Sequence, residues 1–250
     1  MSKVIFDHLR HLSGGKLTQS QVDAANSLIG ASGELLVVQM LGISNALPVT
    51  AALTNSQLQA IYPAADLAFV PVINKWAAYY QLTNKKRMAA WLANMLHESG
   101  GFKRLRESLN YTPERLAAVF PARVKTLAQA QALVKAGQTA IADHVYGGRY
   151  GNTAQGDGYK YRGGGLTHLT FKDNYRAYGD AIGVDLVANP DLIVTPDVAV
   201  RTAMEFWKRN DCNALADRDD FTGVVRRING GTNGIKERFE IFKKCLTSLS

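Results

Sequence analysis

The sequence predicts a mainly α-helical protein of two lobes with a substrate groove between them. Three observations carry this. Capping residues recur ahead of apolar stretches, apolar residues repeat at helical spacing, and strand-like stretches are nearly absent. Leu17 to Ala24 opens with Thr18 and has Gln21 three residues later, the capping-box pattern. Leu53 to Ala60 repeats that chemistry from Thr54, as a local echo and not a repeat architecture. Arg87 to Leu96 is a helix with Trp91, Leu92, Met95 and Leu96 on one side, and Gly100-Gly101 supplies its stop. Thr112-Pro113 starts another helix with Pro at its first position. Thr126 to Ala136 places Leu127, Ala130 and Val134 on one face. Thr195-Pro196-Asp197 opens a helix through Met204, Phe206 and Trp207, and Phe221–Ile228 and Lys236–Leu249 complete the set. One short strand is expected at Tyr159–Tyr161.

Residues 1–50 form a helical N-terminal extension, with Phe6, Leu9, Leu12, Val22 and Leu28 on two helices. It packs on the core or serves as a small wall-binding segment. Residues 51–250 form the principal domain, and Ser44–Thr50, with Pro48, is the hinge. Leu35–Leu53 is apolar, but Gln39, Asn45 and Pro48 interrupt it, so a buried helix and connector are expected in place of a membrane span.

The 250 residues are 46% apolar and 20% charged, ordinary values for a globular protein that buries a substantial core. A net charge of +8 implies an anionic partner. Nucleic acid and the cell envelope both qualify, but no zinc finger, RNA-recognition motif or similar signature is present, so no nucleic-acid partner is expected. Two cysteines, Cys212 and Cys245, make no disulfide framework, and free thiols are expected. Met1-Ser2-Lys3 leads into a polar stretch with no signal-peptide pattern.

The chemistry concentrates at His97-Glu98-Ser99-Gly100-Gly101-Phe102, followed by Glu107. Glu98 falls near a helix C-terminus, where the macrodipole and apolar neighbours oppose ionisation and favour a general acid. Glu107 cannot share its helix face, since nine residues at roughly 100° each place the two on opposite sides. If the double glycine turns the chain back, the two carboxylates face each other across a groove. A gap of about 6.5–9.5 Å would suit inverting glycoside hydrolysis. The plain alternative is a capping Glu98 and a solvated Glu107. His97 lacks a second His at the H-E-x-x-H spacing, so it reads as a structural, hydrogen-bonded His under the site. No metal or cofactor is expected, and no G-x-S-x-G elbow is present.

A second block runs Tyr159-Lys160-Tyr161-Arg162-Gly163-Gly164-Gly165-Leu166-Thr167-His168-Leu169-Thr170, then Asn174-Tyr175. Triple glycine lets backbone lie close to a ligand, and aromatics such as Tyr161 suit sugar faces. Thr170 and Asn174, four apart, would share one side of a helix. A third block, Ile228-Asn229-Gly230-Gly231-Thr232-Asn233-Gly234 with Glu237-Arg238, would present Asn229 to the same groove.

In this order and spacing the three blocks resemble the family 19 glycoside hydrolases, and more closely the bacteriophage endolysins that carry this chitinase-like domain. Tyr146-Gly147-Gly148-Arg149-Tyr150-Gly151-Asn152 resembles the lysin branch too. The resemblance covers roughly residues 52–249 and implies a lysozyme-like two-lobed fold. It implies Glu98 as general acid, Glu107 as base on the attacking water, and Thr170 as a holder of that water. It implies that Asn174, Asn229 and Arg238 bind sugar or orient the second Glu. Gly164 stands where the family has Arg, and His168 where it has Gln; both are expected to line or support the groove, with subsite preference affected more than reaction type. Asn233 stands where plant chitinases carry Glu, which tilts the substrate toward peptidoglycan.

The expectation is therefore a monomeric endolysin hydrolysing β-1,4 bonds of peptidoglycan glycan strands on the anionic cell envelope. It would be made in the host cytoplasm and reach the wall through a separate holin-type pore. A chitinase, a cationic wall-binding protein and a bacterial wall-degrading effector are the alternatives.

Overall fold

The helix Lys85–Ser99 is the axis of the larger lobe, because every residue from Met88 to Leu96 is buried. The predicted face of Trp91, Leu92, Met95 and Leu96 is inside, and so is the rest of the circumference, Asn94 included. A helix apolar all round belongs at the centre of a core. Asn84 caps its start by accepting the Arg87 backbone N–H at 2.9 Å. The computed structural model describes residues 5–6, 9–10, 15–40 and 52–249.

Around this axis pack Ile235–Ser248, Cys212–Asp217 and Phe221–Asn229, while Pro196–Arg209 lies on Phe69–Ala77. Their shared core holds Leu58, Phe69, Ile73, Met204, Trp207 and Val225. The second lobe has two smaller cores. One, with Leu109, Leu116, Ala130, Ile141 and Val145, lies beneath Pro113–Val119, Leu127–Ala136 and Gln138–Tyr146. The other gathers Tyr161, Leu169, Tyr175, Tyr178, Ile182 and Ile193 around Lys172–Ile182. The architecture is mainly α, as the sequence predicts.

The capping chemistry operates as read. Thr18 and Gln21 bond reciprocally (Thr18 N to Gln21 Oε1 2.8 Å, Gln21 N to Thr18 Oγ1 3.3 Å), and Thr54 with Gln57 does the same. Thr112 and Thr126 each accept an N–H three residues on. Phe69–Ala77, Gln138–Tyr146 and Cys212–Asp217 are helices without a start that the sequence marks, and none of the three has a side-chain cap.

The strand expected at Tyr159–Tyr161 does not form. Asp157–Lys160 is a one-turn helix, because the Asp143 carboxylate accepts the Gly156 and Tyr159 N–H groups at 2.9 and 3.2 Å and curls the segment. Among the described residues, β pairing is limited to isolated bridges, Arg106–Gly164 and Gly164–Leu169 among them. Leu127 is 47% exposed; Ala130 is the buried member of that helix.

At the N-terminus, Gln19–Met40 is helical. The hinge at Ser44–Thr50 lies outside the described residues, as do Leu12 and residues 41–51 of the apolar Leu35–Leu53 stretch. Among the described residues no helix is long and apolar enough to cross a membrane. Cys212 and Cys245 are free and buried, and burial pushes both thiols up to about 12, so neither is a ready nucleophile.

Leu92 sits fully buried in the axial helix, so Leu92→Ala leaves a cavity and costs about 2–5 kcal/mol. Its urea midpoint falls accordingly, whereas Leu127→Ala moves it by less than about 0.5 kcal/mol in equivalent stability.

Candidate active site

Glu98 is the next-to-last residue of the axial helix. The motif around it works as a chain reversal. Ser99 Oγ donates to Met95 O at 2.6 Å and accepts the Phe102 N–H at 2.8 Å, closing the turn. Gly100 and Gly101 take positive φ (58° and 77°), and a Cβ on Gly101 would meet the Tyr62 ring at 2.8 Å. Phe102 then enters the core and stacks on Phe69 at 4.9 Å.

The carboxylate of Glu98 does not face apolar surface alone, as the sequence suggested. Its Oε1 accepts Nη2 of Arg238, in an ion pair whose guanidinium side chain is 3% exposed. Arg238 Nη1 donates to Asn94 Oδ1 at 2.9 Å, and Nε to the Asn233 carbonyl at 3.4 Å. Arg238 thus serves the first carboxylate, not the second as the resemblance allowed. Asn229 is occupied within its own turn. Its Nδ2 donates to Asn233 O (2.8 Å), and its Oδ1 accepts the Gly231 N–H (2.9 Å). It shapes the loop that presents Arg238, and beyond these two bonds its amide keeps one N–H and one lone pair.

His97 is half-buried against Gly234, and its Nδ1 is buried without a hydrogen-bond partner. The expected hydrogen bond to a structural His is therefore missing at that nitrogen. Burial, followed by the charge of Arg238, holds its pKa below the usual range, so the ring is neutral at neutral pH. Among the described residues no three His, Cys, Asp or Glu side chains group as a metal site.

Glu107 stands on a different support. Residues 105–107 pair with the glycine loop: Glu107 N donates to Gly163 O (3.0 Å) and Gly165 N to Leu105 O (2.9 Å). The loop pairs in turn with the segment after it, through Gly164 N to Leu169 O (3.0 Å) and Phe171 N to Tyr161 O (2.9 Å). Gly163 N donates to Glu107 Oε1 at 2.6 Å, and the Tyr146 hydroxyl to Oε2 at 2.8 Å. Burial and the neighbouring Glu107 charge raise the Tyr146 phenol well above its ordinary range, so it remains a protonated donor. Two donors on two oxygens suit an ionised, acceptor-only carboxylate.

Thr170 lies on the strand-like segment that pairs with this loop, between Leu169 and Phe171. Its Oγ1 donates to His168 O at 2.9 Å. Thr170 and Asn174 do not share a helix face, because that helix begins at Lys172; instead Asn174 Nδ2 donates back to Thr170 O at 2.7 Å. His168 has φ 48° and Phe171 φ 80°, so strained backbone flanks Thr170 on both sides. The His168 ring is half-buried, with its Nδ1 unpartnered.

Tyr161 is corrected from a sugar-binding position to a core one. It is 1% exposed, and its hydroxyl donates to Val187 O at 3.1 Å, so no face is open to a ligand. Gly164, standing in place of an Arg, has a local reason: a Cβ there would lie 2.6 Å from Ile193, 2.7 Å from the Tyr175 hydroxyl and 2.9 Å from Arg106 Nη1. The Arg106 guanidinium already fills that space, held by Tyr175 Oη (3.0 Å) and Asp191 (2.7 Å). Tyr146, Asn94 and Arg106 were missed because their partners lie 39, 144 and 69 residues away in sequence.

The family model described as "Chitinase class I" matches residues 128–226. A glycosyl hydrolase family 19 domain-containing protein of Haemophilus influenzae is 36% identical over 190 residues, 75% of this chain and 92% of that one. An endochitinase of Arabidopsis thaliana is 28% identical over 169 residues, and the chain spans 46% of its length. Among solved structures, chitinase C of Streptomyces griseus shares the fold, with a TM-score of 0.53 at 23% identity over 79% of this chain and 92% of that one.

Tyr146→Phe removes one charge-assisted donor from Glu107 and lowers kcat about tenfold without lowering the melting temperature appreciably. Arg238→Met leaves Glu98 and Asn94 without their buried partner and costs about 3–5 kcal/mol, read by denaturant unfolding.

Proposed function

Because the chain belongs to glycoside hydrolase family 19, we propose that it is an endolysin that hydrolyses β-1,4 bonds in the glycan strands of bacterial peptidoglycan. The observation that carries the reaction type is the pair of separately supported carboxylates, Glu98 against Arg238 and Glu107 against Gly163 and Tyr146. Arg238 holds Oε1 of Glu98 and fixes the carboxyl group in place. In this mechanism Glu98, protonated when the substrate arrives, gives its proton to the glycosidic oxygen as the bond from that oxygen to the anomeric carbon breaks. A water held by Glu107 and Thr170 attacks the same carbon from the opposite face and passes its proton to Glu107. The configuration inverts in a single displacement. The chain's own residues supply the whole acid–base cycle.

The substrate choice is supported by two features. Net charge of +8 favours an anionic envelope polymer, and Asn233 adds no carboxylate to the third block. On this reading the protein acts as a monomer, is held in the host cytoplasm before lysis and works at the wall afterwards. Chitin is the second reading, favoured by the named endochitinase and chitinase relatives.

The deciding experiment is mass spectrometry of fragments from purified peptidoglycan, with and without borohydride reduction, beside turnover of chitin oligomers. New reducing-end N-acetylmuramic acid is the expected result. Turnover of chitin oligomers alone would move the assignment to chitinase. Glu98→Gln, folded as wild type, loses at least about 1,000-fold in rate. If that variant still lyses cells and salt abolishes the effect, the protein acts by charge and not by catalysis.

A further inference from the structure

Tyr150 is the most exposed large apolar side chain of the described residues, at 62%, and it is not loosely held. Its backbone adopts φ 43°, unusual for a non-glycine residue. Its carbonyl accepts the Asp173 N–H at 3.1 Å. The turn around it is fastened by Asn152, which is 1% exposed. Asn152 Nδ2 donates to Tyr146 O (3.1 Å), and its Oδ1 accepts the Lys172 N–H (3.0 Å). An exposed aromatic ring on a strained, fully bonded turn is held for something outside the fold.

The ring also has a direction. Tyr150 meets Phe171 edge-on at 4.8 Å, and Phe171 meets Tyr146 at 5.6 Å. Tyr146 donates to Glu107, and Phe171 directly follows Thr170. Tyr150 is therefore the outer end of an aromatic row that begins at the second carboxylate. Above the row lies Arg149, its guanidinium carbon 5.4 Å from the Tyr150 ring centre and 5.2 Å from that of Phe171. Among the described residues no carboxylate lies within ion-pair distance of Arg149, and its guanidinium has one hydrogen bond there, a long one of 3.5 Å to Val145 O.

We propose that Tyr150 and Arg149 form an outlying glycan subsite on the Glu107 side, taking an acetamido sugar whose lactyl carboxylate is free of a peptide stem. The apolar C–H face of the sugar lies on the Tyr150 ring, and the carboxylate meets the Arg149 guanidinium. The choice of an anionic sugar rests on the peptidoglycan reading above, whereas the stacking role of Tyr150 does not. A neutral glycan would use the ring and leave the guanidinium idle.

The test is calorimetric affinity on the folded, inactive Glu98→Gln full-length chain, so binding is judged apart from turnover. The probes are a stem-free oligomer of alternating N-acetylglucosamine and N-acetylmuramic acid, and a chitin oligomer of equal length. Adding Tyr150→Ala weakens both about tenfold, and Tyr150→Trp keeps both. Adding Arg149→Gln weakens only the muramic-acid oligomer, roughly fivefold, with less effect at high salt; Arg149→Lys retains most of it. Unchanged affinity in Tyr150→Ala, or no binding of either oligomer, overturns the subsite. Equal weakening of both oligomers by Arg149→Gln overturns the charge recognition. Failure of the wild type to cleave peptidoglycan, with the Tyr150 effect intact on chitin, overturns the endolysin reading and leaves the stacking role standing.

Discussion

The pairing of Arg238 is the constraint on which the larger lobe depends. Its guanidinium is almost wholly removed from water, and an ion there is tolerated only when charge and hydrogen bonds are both satisfied. Three groups do this: Glu98 and Asn94 from the axial helix, and the Asn233 carbonyl from the glycine turn. The C-terminal helix is thereby registered against the axial helix, and the turn between Asn229 and Gly234 has one conformation that closes the network. The same contact fixes the rotamer of Glu98. A carboxylate that must deliver a proton to one oxygen of a substrate gains from being unable to swing.

Glu107 is held by different means. Its partners are a backbone N–H and a phenol, both fixed by paired loop segments and not by a regular element. The small bridges that join residues 105–107, 163–165 and 169–171 stand in for a sheet, and positive φ at His168 and Phe171 is the strain that comes with them. The two carboxylates therefore rest on unlike supports, one on a buried helix and one on a bonded loop.

The departures from the family pattern make sense in these terms. Gly164 is small because Arg106 enters from the neighbouring segment and uses Tyr175 and Asp191 to stay there. The aromatic row from Tyr146 through Phe171 to Tyr150 extends the same loop outward. The loop that positions the second carboxylate thus also carries the proposed outlying subsite.

Local chemistry was sufficient for much of this protein. Thr18, Thr54, Thr112 and Thr126 mark their helix starts because a cap bonds within three residues. Glu98 and its reversal were legible because Ser99, the two glycines and Phe102 act on one another within a single turn. Tertiary structure alone decided the partners. Arg238 belongs to Glu98, Tyr146 belongs to Glu107, and Tyr161 is core, because each depends on which distant segment arrives beside it. The strand expected at Tyr159–Tyr161 became a helical turn for the same reason, since the Asp143 carboxylate that captures its N–H groups comes from another helix. Sequence by itself determined the locally capped helices and the residue types of the site. Packing determined which charges and hydroxyls meet, because burial forces polar groups to find partners wherever the fold brings them.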